Sequence, residues 1–331
     1  MPAALTLTTL DLDGLRLLDR PNLVPEANEI AVDLRASALN RRDLRVTAGL
    51  WPGVTAPIVP GSDGAGVVNA IGGSASGIAV GDEVIVLPSL GWGDNPRVQA
   101  DRYTILGGPT DGTFAAQVCV PASNVFPKPK RLSFEEAAAL PLAGVTVWRA
   151  LFSRGELRSG ETVLVTGAGA GTSTLAVQLA TAAGARVYVT SSSTQKIAQS
   201  IEIGAVAGFD YRADGWEAEF VSRTGGADLV IDSAGTLAAS IACCRKGARI
   251  VNFGATVGPL AEFAYRDFYM NQLSLHGSLM GNPGEFRELL RATESQSWRP
   301  VIDSVRPLAE GRAALERMRD GLHFGKLVLT P

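Results

Sequence analysis

The 331-residue sequence predicts an α/β protein, a small β-barrel followed by βαβ units that form a parallel sheet. Three observations lead there. The first 130 or so residues hold short apolar strands punctuated by Gly and Pro. From Glu161 onward strand and helix patterns alternate, and at 163–173 a glycine-rich turn joins a buried strand to a helix. With 46% hydrophobic residues the chain has ample material for a core.

In chain order, 5–10 and 15–19 flank Asp11-Leu12-Asp13-Gly14, a hairpin pattern. The segment 30–34 alternates apolar and polar residues, as a half-buried strand does. Short strands follow at 64–68 and 81–86, at a spacing that suits a barrel. The stretch 89–113 is rich in Gly and Asp, lacks periodicity and reads as a surface lobe. Ser133-Phe134-Glu135-Glu136 is a capping box that opens an Ala-rich helical stretch interrupted by Pro141. Strands are expected at 162–166, 186–190, 228–232 and 249–253, with helices at 172–183 and 194–203. Helices at 284–293 and 309–320 and a strand at 326–330 close the chain.

Composition excludes several functions. Thirty basic against 33 acidic residues give net charge -3, so there is no electrostatic footprint for nucleic acid. Two histidines (His276, His323) and three cysteines (Cys119, Cys243, Cys244) rule out a disulfide scaffold, a four-cysteine zinc site and a three-histidine zinc site. No metal is expected. The N-terminus lacks a basic and apolar signal pattern. The most apolar run, 137–148, is too short for a bilayer and contains Pro141. A cytoplasmic protein without a membrane partner is the expectation.

The strongest local signal is Val163-Leu164-Val165-Thr166-Gly167-Ala168-Gly169-Ala170-Gly171-Thr172-Ser173. Glycines let the chain turn sharply and let the backbone at Gly169, Ala170, Gly171 and Thr172 approach a pyrophosphate at the positive helix N-terminus. A dinucleotide cofactor is implied. The second strand ends in Thr190-Ser191-Ser192-Ser193-Thr194-Gln195-Lys196, where an NAD site normally carries Asp or Glu. Here Ser191 and Ser192 can donate to a 2′-phosphate and Lys196 can neutralise it, which favours NADP(H). A polar turn capping the next helix, through Thr194, is the competing explanation.

The chain resembles the medium-chain dehydrogenase/reductase superfamily, most closely its zinc-less quinone oxidoreductase-like branch. The resemblance spans essentially the whole chain and rests on an ordered set of motifs. These are Ala38-Leu39-Asn40-Arg41-Arg42-Asp43, Pro60-Gly61-Ser62-Asp63-Gly64-Ala65-Gly66-Val67-Val68, Val80-Gly81-Asp82-Glu83-Val84, Ala143-Gly144-Val145-Thr146-Val147-Trp148 and the glycine turn. It implies a GroES-like β-barrel catalytic domain (1–126, completed by 268–331) around a doubly wound Rossmann NADP-binding domain (127–267). It also implies hydride transfer in the cleft between them, and a homodimer. By position, Asn40 and Thr146 look like nicotinamide-side contacts, and Lys196 and Tyr211 like contacts to the adenosine phosphate. Phe253, Gly254 and Lys326 fall where members line the cofactor groove.

Departures from the family are also informative. Zinc-dependent relatives carry Cys at the place of Asn40, His at the place of Ser62 and a third ligand near Leu142. Their structural zinc uses cysteines in a lobe that here, at 89–113, has none. Ser173 replaces the last glycine of the family turn, and Arg45 and Trp51 stand where quinone reductases offer tyrosines.

Without a metal, hydride delivery suits an acceptor that delocalises its own charge, a quinone or an α,β-unsaturated carbonyl. Candidate polar groups are Asn40, Asp43 and Arg45. Asp43 equally suits a structural ion pair with the preceding arginines, and Arg45 either steadies an enolate or faces solvent. Trp51 either stacks on a flat acceptor or walls the site. His276 reads as a core histidine, while Tyr103 and Tyr269 are possible proton donors. Two alternatives remain open: a zinc-independent alcohol or aldehyde oxidoreductase, and a non-catalytic NADP-binding protein.

Overall fold

The computed structural model describes residues 1–73, 77–258 and 262–331, which form two compact units. The first comprises Met1–Val145 and Asn282–Pro331, and the second Thr146–Gly281.

In the first unit the expected hairpin forms: Ala3–Leu7 pairs antiparallel with Leu15–Asp19. The main sheet has, among the described residues, seven strands. At its centre lies Glu29–Ala38, longer than the sequence pattern suggested and bulged at two places. It pairs with Asp63–Ile71 along one edge. Its other edge is shared, Gln117–Pro121 taking the first half and Lys326–Thr330 the last residues. Inward-facing Ile30, Val32, Leu34, Val68, Val84, Val86, Val118 and Val120 make the barrel core. β-branched side chains suit this pleated packing. A second cluster, including Leu5, Leu7, Leu39, Val46, Phe114, Leu315, Leu327 and Leu329, ties both chain ends together. Because Val328 pairs with Ala38, the C-terminal strand delivers Lys326 beside the residue that follows Leu39.

The stretch 89–113 is less of a surface lobe than its composition suggests. Ser89–Leu90 pairs with Thr104–Ile105, and Trp92, Ile105, Leu106 and Thr113 are buried. Isolated anchors and side-chain hydrogen bonds hold it, which leave no periodic trace. One such anchor is Asn124, whose Nδ2 donates to Leu87 O and Ser89 O.

The capping box forms as read, Glu136 N donating to Ser133 Oγ at 3.2 Å and Ser133 N to the Glu136 carboxylate at 2.9 Å. Pro141 starts a new helix, Pro141–Trp148, where its missing N–H costs nothing.

The second unit is a doubly wound parallel sheet. Its strands are β1 (Thr162–Val165), β2 (Arg186–Ser191), β3 (Ala207–Asp210), β4 (Ala227–Asp232), β5 (Cys244–Asn252) and β6 (Ser274–Gly277). They lie in the order β3-β2-β1-β4-β5-β6. Helices α1 (Gly171–Ala182), α2 (Thr194–Glu202) and α3 (Trp216–Thr224) connect the first four strands. The order reverses beside β1, and in such sheets ligands bind at the carboxyl ends of strands flanking that reversal. Leu164, Tyr188, Phe209, Phe220, Val230 and Ile250 belong to the core of this unit.

Candidate active site

In the first unit the chain leaves Glu29–Ala38 at Leu39, whose N–H donates to Leu327 O, and enters the helix Arg41–Thr47. Asn40 is its N-cap residue. The Asn40 N–H donates to Asp43 Oδ2 at 2.7 Å, so Asp43 fixes the helix entry. The Asn40 amide faces two charged side chains. Its Nδ2 donates to Asp63 Oδ2 at 2.9 Å, and its Oδ1 accepts from Lys326 Nζ at 2.7 Å. Lys326 also donates to Asp63 Oδ2 at 2.9 Å, and Leu142 N donates to Asp63 Oδ1 at 2.8 Å. Asn40, Asp63 and Lys326 are all buried, so the ring is rigid and its amide orientation is set by charge.

Beside this ring lies a second cation, Arg42. Its Nη1 donates to Ser62 Oγ at 2.6 Å and to Leu106 O at 2.9 Å, and its Nη2 to Gly108 O at 3.2 Å. The guanidinium also sits 4.5 Å from the Trp51 ring centroid, a cation–π contact. Burial lowers the Arg42 pKa, with Asp43 opposing most strongly. Burial pushes the Asp43 carboxyl up to about 6, against the pull of Arg42 3.9 Å away. Asp43 therefore joins the structural ion pair foreseen as one of its two roles, and acts on Asn40 through the backbone. Arg45 is exposed and does not join the cluster. Tyr103 is half-buried, and desolvation raises its phenol to about 12, with Ser89 and Arg42 pulling the other way. Tyr269 is 62% exposed.

These residues do not fit a catalytic zinc. Asn40, Ser62 and Leu142 offer no thiolate or imidazole, and both Asp63 oxygens are already engaged by Leu142, Asn40 and Lys326. Among the described residues, no three His, Cys, Asp or Glu side chains come together as a metal group.

In the second unit the glycine turn lies between β1 and α1. Gly167 and Gly169 have φ of +72° and +102°, which only glycine adopts without strain. The turn is tied to β2: Gly167 N donates to Thr190 Oγ1 and Ala168 N to Thr190 O. Ser173, the departure from the family glycine, donates its hydroxyl to Gly167 O at 2.7 Å and so secures the loop. No side chain caps α1 at Ala170. Its first-turn amides at Gly171 and Thr172 are therefore placed for an anion. A Cβ on Gly169 would meet Lys196 Cδ at 2.6 Å, so the lysine stem lies directly over the turn. This cradle fits a dinucleotide pyrophosphate.

Around it the other predicted residues fall at strand ends. Ser191, at the end of β2, is buried and accepts from Ser193 N at 3.1 Å. Ser193, rather than Thr194, caps α2, its Oγ accepting from Lys196 N. Ser192 is half-buried and Tyr211, just beyond β3, is exposed. Phe253 and Gly254 follow β5, and a Cβ on Gly254 would lie 2.2 Å from Ser233 O. Asp232 organises these ends, accepting from Thr166 Oγ1, Ala234 N, Gly235 N and Asn252 Nδ2. Thr146 is buried, its hydroxyl 3.6 Å from the Met280 sulfur. His276 is half-buried on β6, whose other residues are exposed, so it is not the core histidine its sequence context suggests; burial and then Arg154 lower its pKa.

Three residues escaped selection from sequence. Asp63 lay in plain view inside Pro60-Gly61-Ser62-Asp63. Arg42 could not be told from Arg41 and Arg45 without the helix phase, and Arg212, whose Nη2 donates to Ser192 O, is brought beside the end of β2 only by the pairing of β2 with β3.

Residues 26–130 match the family described as alcohol dehydrogenase GroES-like domain, and residues 171–295 the family described as zinc-binding dehydrogenase. The chain is 36% identical over 313 residues to a zinc-type alcohol dehydrogenase-like protein of Schizosaccharomyces pombe, covering 91% of this chain and 90% of that one. It is 31% identical to a 2-methylene-furan-3-one reductase of Solanum lycopersicum, over 93% of this chain and 74% of that one. A crystal structure of an NAD-dependent alcohol dehydrogenase superimposes with a TM-score of 0.94 at 35% identity, covering 99% of both chains.

Proposed function

The chain belongs to the medium-chain dehydrogenase/reductase superfamily, a family of nicotinamide-dependent oxidoreductases, and from that membership we propose an NADPH-dependent reductase of quinones or α,β-unsaturated carbonyls that works without zinc. The observation that carries this reading is the closed ring of Asn40, Asp63 and Lys326. Protein hydrogen bonds engage the groups where zinc-dependent relatives place ligands, and no thiolate or imidazole is among them.

Bound NADPH supplies the hydride; the chain supplies position and charge. In this reading Gly169, Ala170, Gly171 and Thr172 hold the pyrophosphate at the N-terminus of α1. Ser191, Ser192, Lys196 and Tyr211 hold the adenosine phosphate, with Lys196 already lying across the turn. Phe253 and Gly254 wall the groove, while Thr146, Asn40 and Lys326 serve the nicotinamide end. Asn40 meets its ligand in one orientation only, because Asp63 and Lys326 fix which end of the amide is donor and which acceptor. Asp43 holds the Asn40 backbone and acts as a positioning residue. A conjugated acceptor spreads the delivered charge into an enolate or hydroquinone, which hydrogen-bond donors are enough to stabilise. A saturated ketone lacks that outlet. The 2-methylene-furan-3-one reductase among the relatives supports this acceptor class, and the alcohol dehydrogenase names favour the alcohol and aldehyde alternative.

The same reading places the enzyme in the cytoplasm as a homodimer. Two copies would pair through β6, the outer strand of the parallel sheet, where Leu275 is exposed, as are Tyr265, Tyr269 and Met270 of the helix before it. Among the described residues, no helix is long and apolar enough to cross a membrane.

A panel assay of NADPH oxidation tests the function. Quinones, enals and enones should turn over well above saturated ketones and aldehydes. Turnover of saturated alcohols at rates equal to enones would favour the alcohol reading, and silence across the panel would favour a non-catalytic NADP-binding protein.

A further inference from the structure

We infer that the choice between the two nicotinamide cofactors is governed by an ion pair on the third strand, Asp210 and Arg212, in addition to the serines and lysine that follow the second. The inference rests on the nucleotide reading given above. β2 and β3 run parallel with Ser191 opposite Asp210, so the chain leaving β3 arrives beside the chain leaving β2. There Arg212 Nη2 donates to Ser192 O at 2.5 Å, which places the guanidinium at the end of β2. In a sheet of this type the end of β2 is where the adenosine ribose carries its 2′ substituent.

Arg212 is held on its other side by Asp210. Its Nε and Nη2 donate to the two carboxylate oxygens at 3.2 and 3.0 Å, and its backbone N–H adds a third bond at 2.9 Å. These hydrogen bonds hold the Asp210 carboxyl below its usual range and push the Arg212 pKa up. The Arg212 side chain is 64% exposed and that of Asp210 33%, so the pair is weak and opens readily. A phosphate is a good bidentate partner for a guanidinium, and Arg212 turns toward it when NADPH binds. With NADH no such partner arrives, and Arg212 remains on Asp210.

Asp210 then has a defined effect. It competes with the 2′-phosphate for Arg212, and without Arg212 it is an uncompensated negative charge next to that phosphate. Removing the arginine therefore penalises NADPH in two ways, by losing a cation and by unmasking a carboxylate. Removing the carboxylate frees the arginine and favours NADPH.

Fluorescence titration of the full-length protein with NADPH and with NADH tests this. Arg212→Ala should raise the NADPH dissociation constant about tenfold or more while leaving NADH within about twofold. Asp210→Asn should tighten NADPH, and the double variant should fall between the two single variants. A ratio of NADPH to NADH affinity unchanged in both Arg212→Ala and Asp210→Asn, but shifted in Lys196→Ala, would overturn the inference and leave the nucleotide reading intact. A wild-type protein that binds neither nucleotide would overturn both.

Discussion

The polar groups around Asn40 and those beyond β2 and β3 are built on opposite terms. Asn40, Asp63, Lys326, Arg42 and Asp43 are buried, and their positions are fixed by one another. Ser192, Lys196, Tyr211, Arg212 and Asp210 are half-buried or exposed, and their pairing is loose. Removing one buried partner leaves a charge in low dielectric, whereas removing an exposed one lets water take its place. The first region should therefore respond to mutation in stability, and the second in ligand affinity.

The largest effect is expected at the ring. Lys326→Met leaves Asp63 buried without its cation and should cost about 3–5 kcal/mol in chemical denaturation. Combining it with Asp63→Asn should recover most of that loss, because the amide oxygen can still accept from Leu142 N and the buried charge is gone. If the single and double variants are equally unstable, the ring is not held by charge.

Next comes the pH response of Asp43. Its carboxyl is raised from 3.8 to about 6 in the folded protein, chiefly by burial. Below pH about 4 it is protonated in both states, between about 4 and 6 only the unfolded chain ionises, and above that both do. Its contribution to stability is thus full below pH 4 and lost as pH rises to about 6, by roughly 2–3 kcal/mol. The difference in unfolding free energy between wild type and Asp43→Asn should fall by that amount from pH 4 to 7 and then stay level. A flat difference would place Asp43 in a more polar setting than Arg42, Asn40, Lys326 and Asp63 provide.

At the exposed region, Lys196→Ala should weaken NADPH by about 1.5–3 kcal/mol and NADH much less. Equal weakening of both cofactors would remove Lys196 from the phosphate. The smallest effect is expected at Arg45, which is exposed and apart from the buried cluster. Arg45→Ala should change stability by less than about 0.5 kcal/mol. It should also leave kcat/KM within twofold, and a large loss of activity would return Arg45 to the site.

The contrast also explains what was legible in the sequence. The β1–turn–α1 junction could be read because Gly167, Gly169 and the Ala-rich helix carry local signals, and the capping box at Ser133 is equally local. Non-local placement could not be read. Three arginines within five residues, Arg41, Arg42 and Arg45, look alike until the helix phase buries Arg42 and turns Arg45 outward. Arg212 lies 20 residues from Ser192, and only the register of β2 with β3 joins them. The anchoring of 89–113 rests on single hydrogen bonds to carbonyl oxygens, which no composition records.

The proposed function has protein charges, rather than a metal, holding this site while hydride passes to a conjugated acceptor. Its most direct test is the rate of NADPH oxidation by the best enone or quinone, measured before and after exhaustive chelation with zinc content determined in parallel. Far less than one zinc per chain and an unchanged rate are expected. Stoichiometric zinc whose removal abolishes the reaction, and whose return restores it, would overturn the zinc-free mechanism.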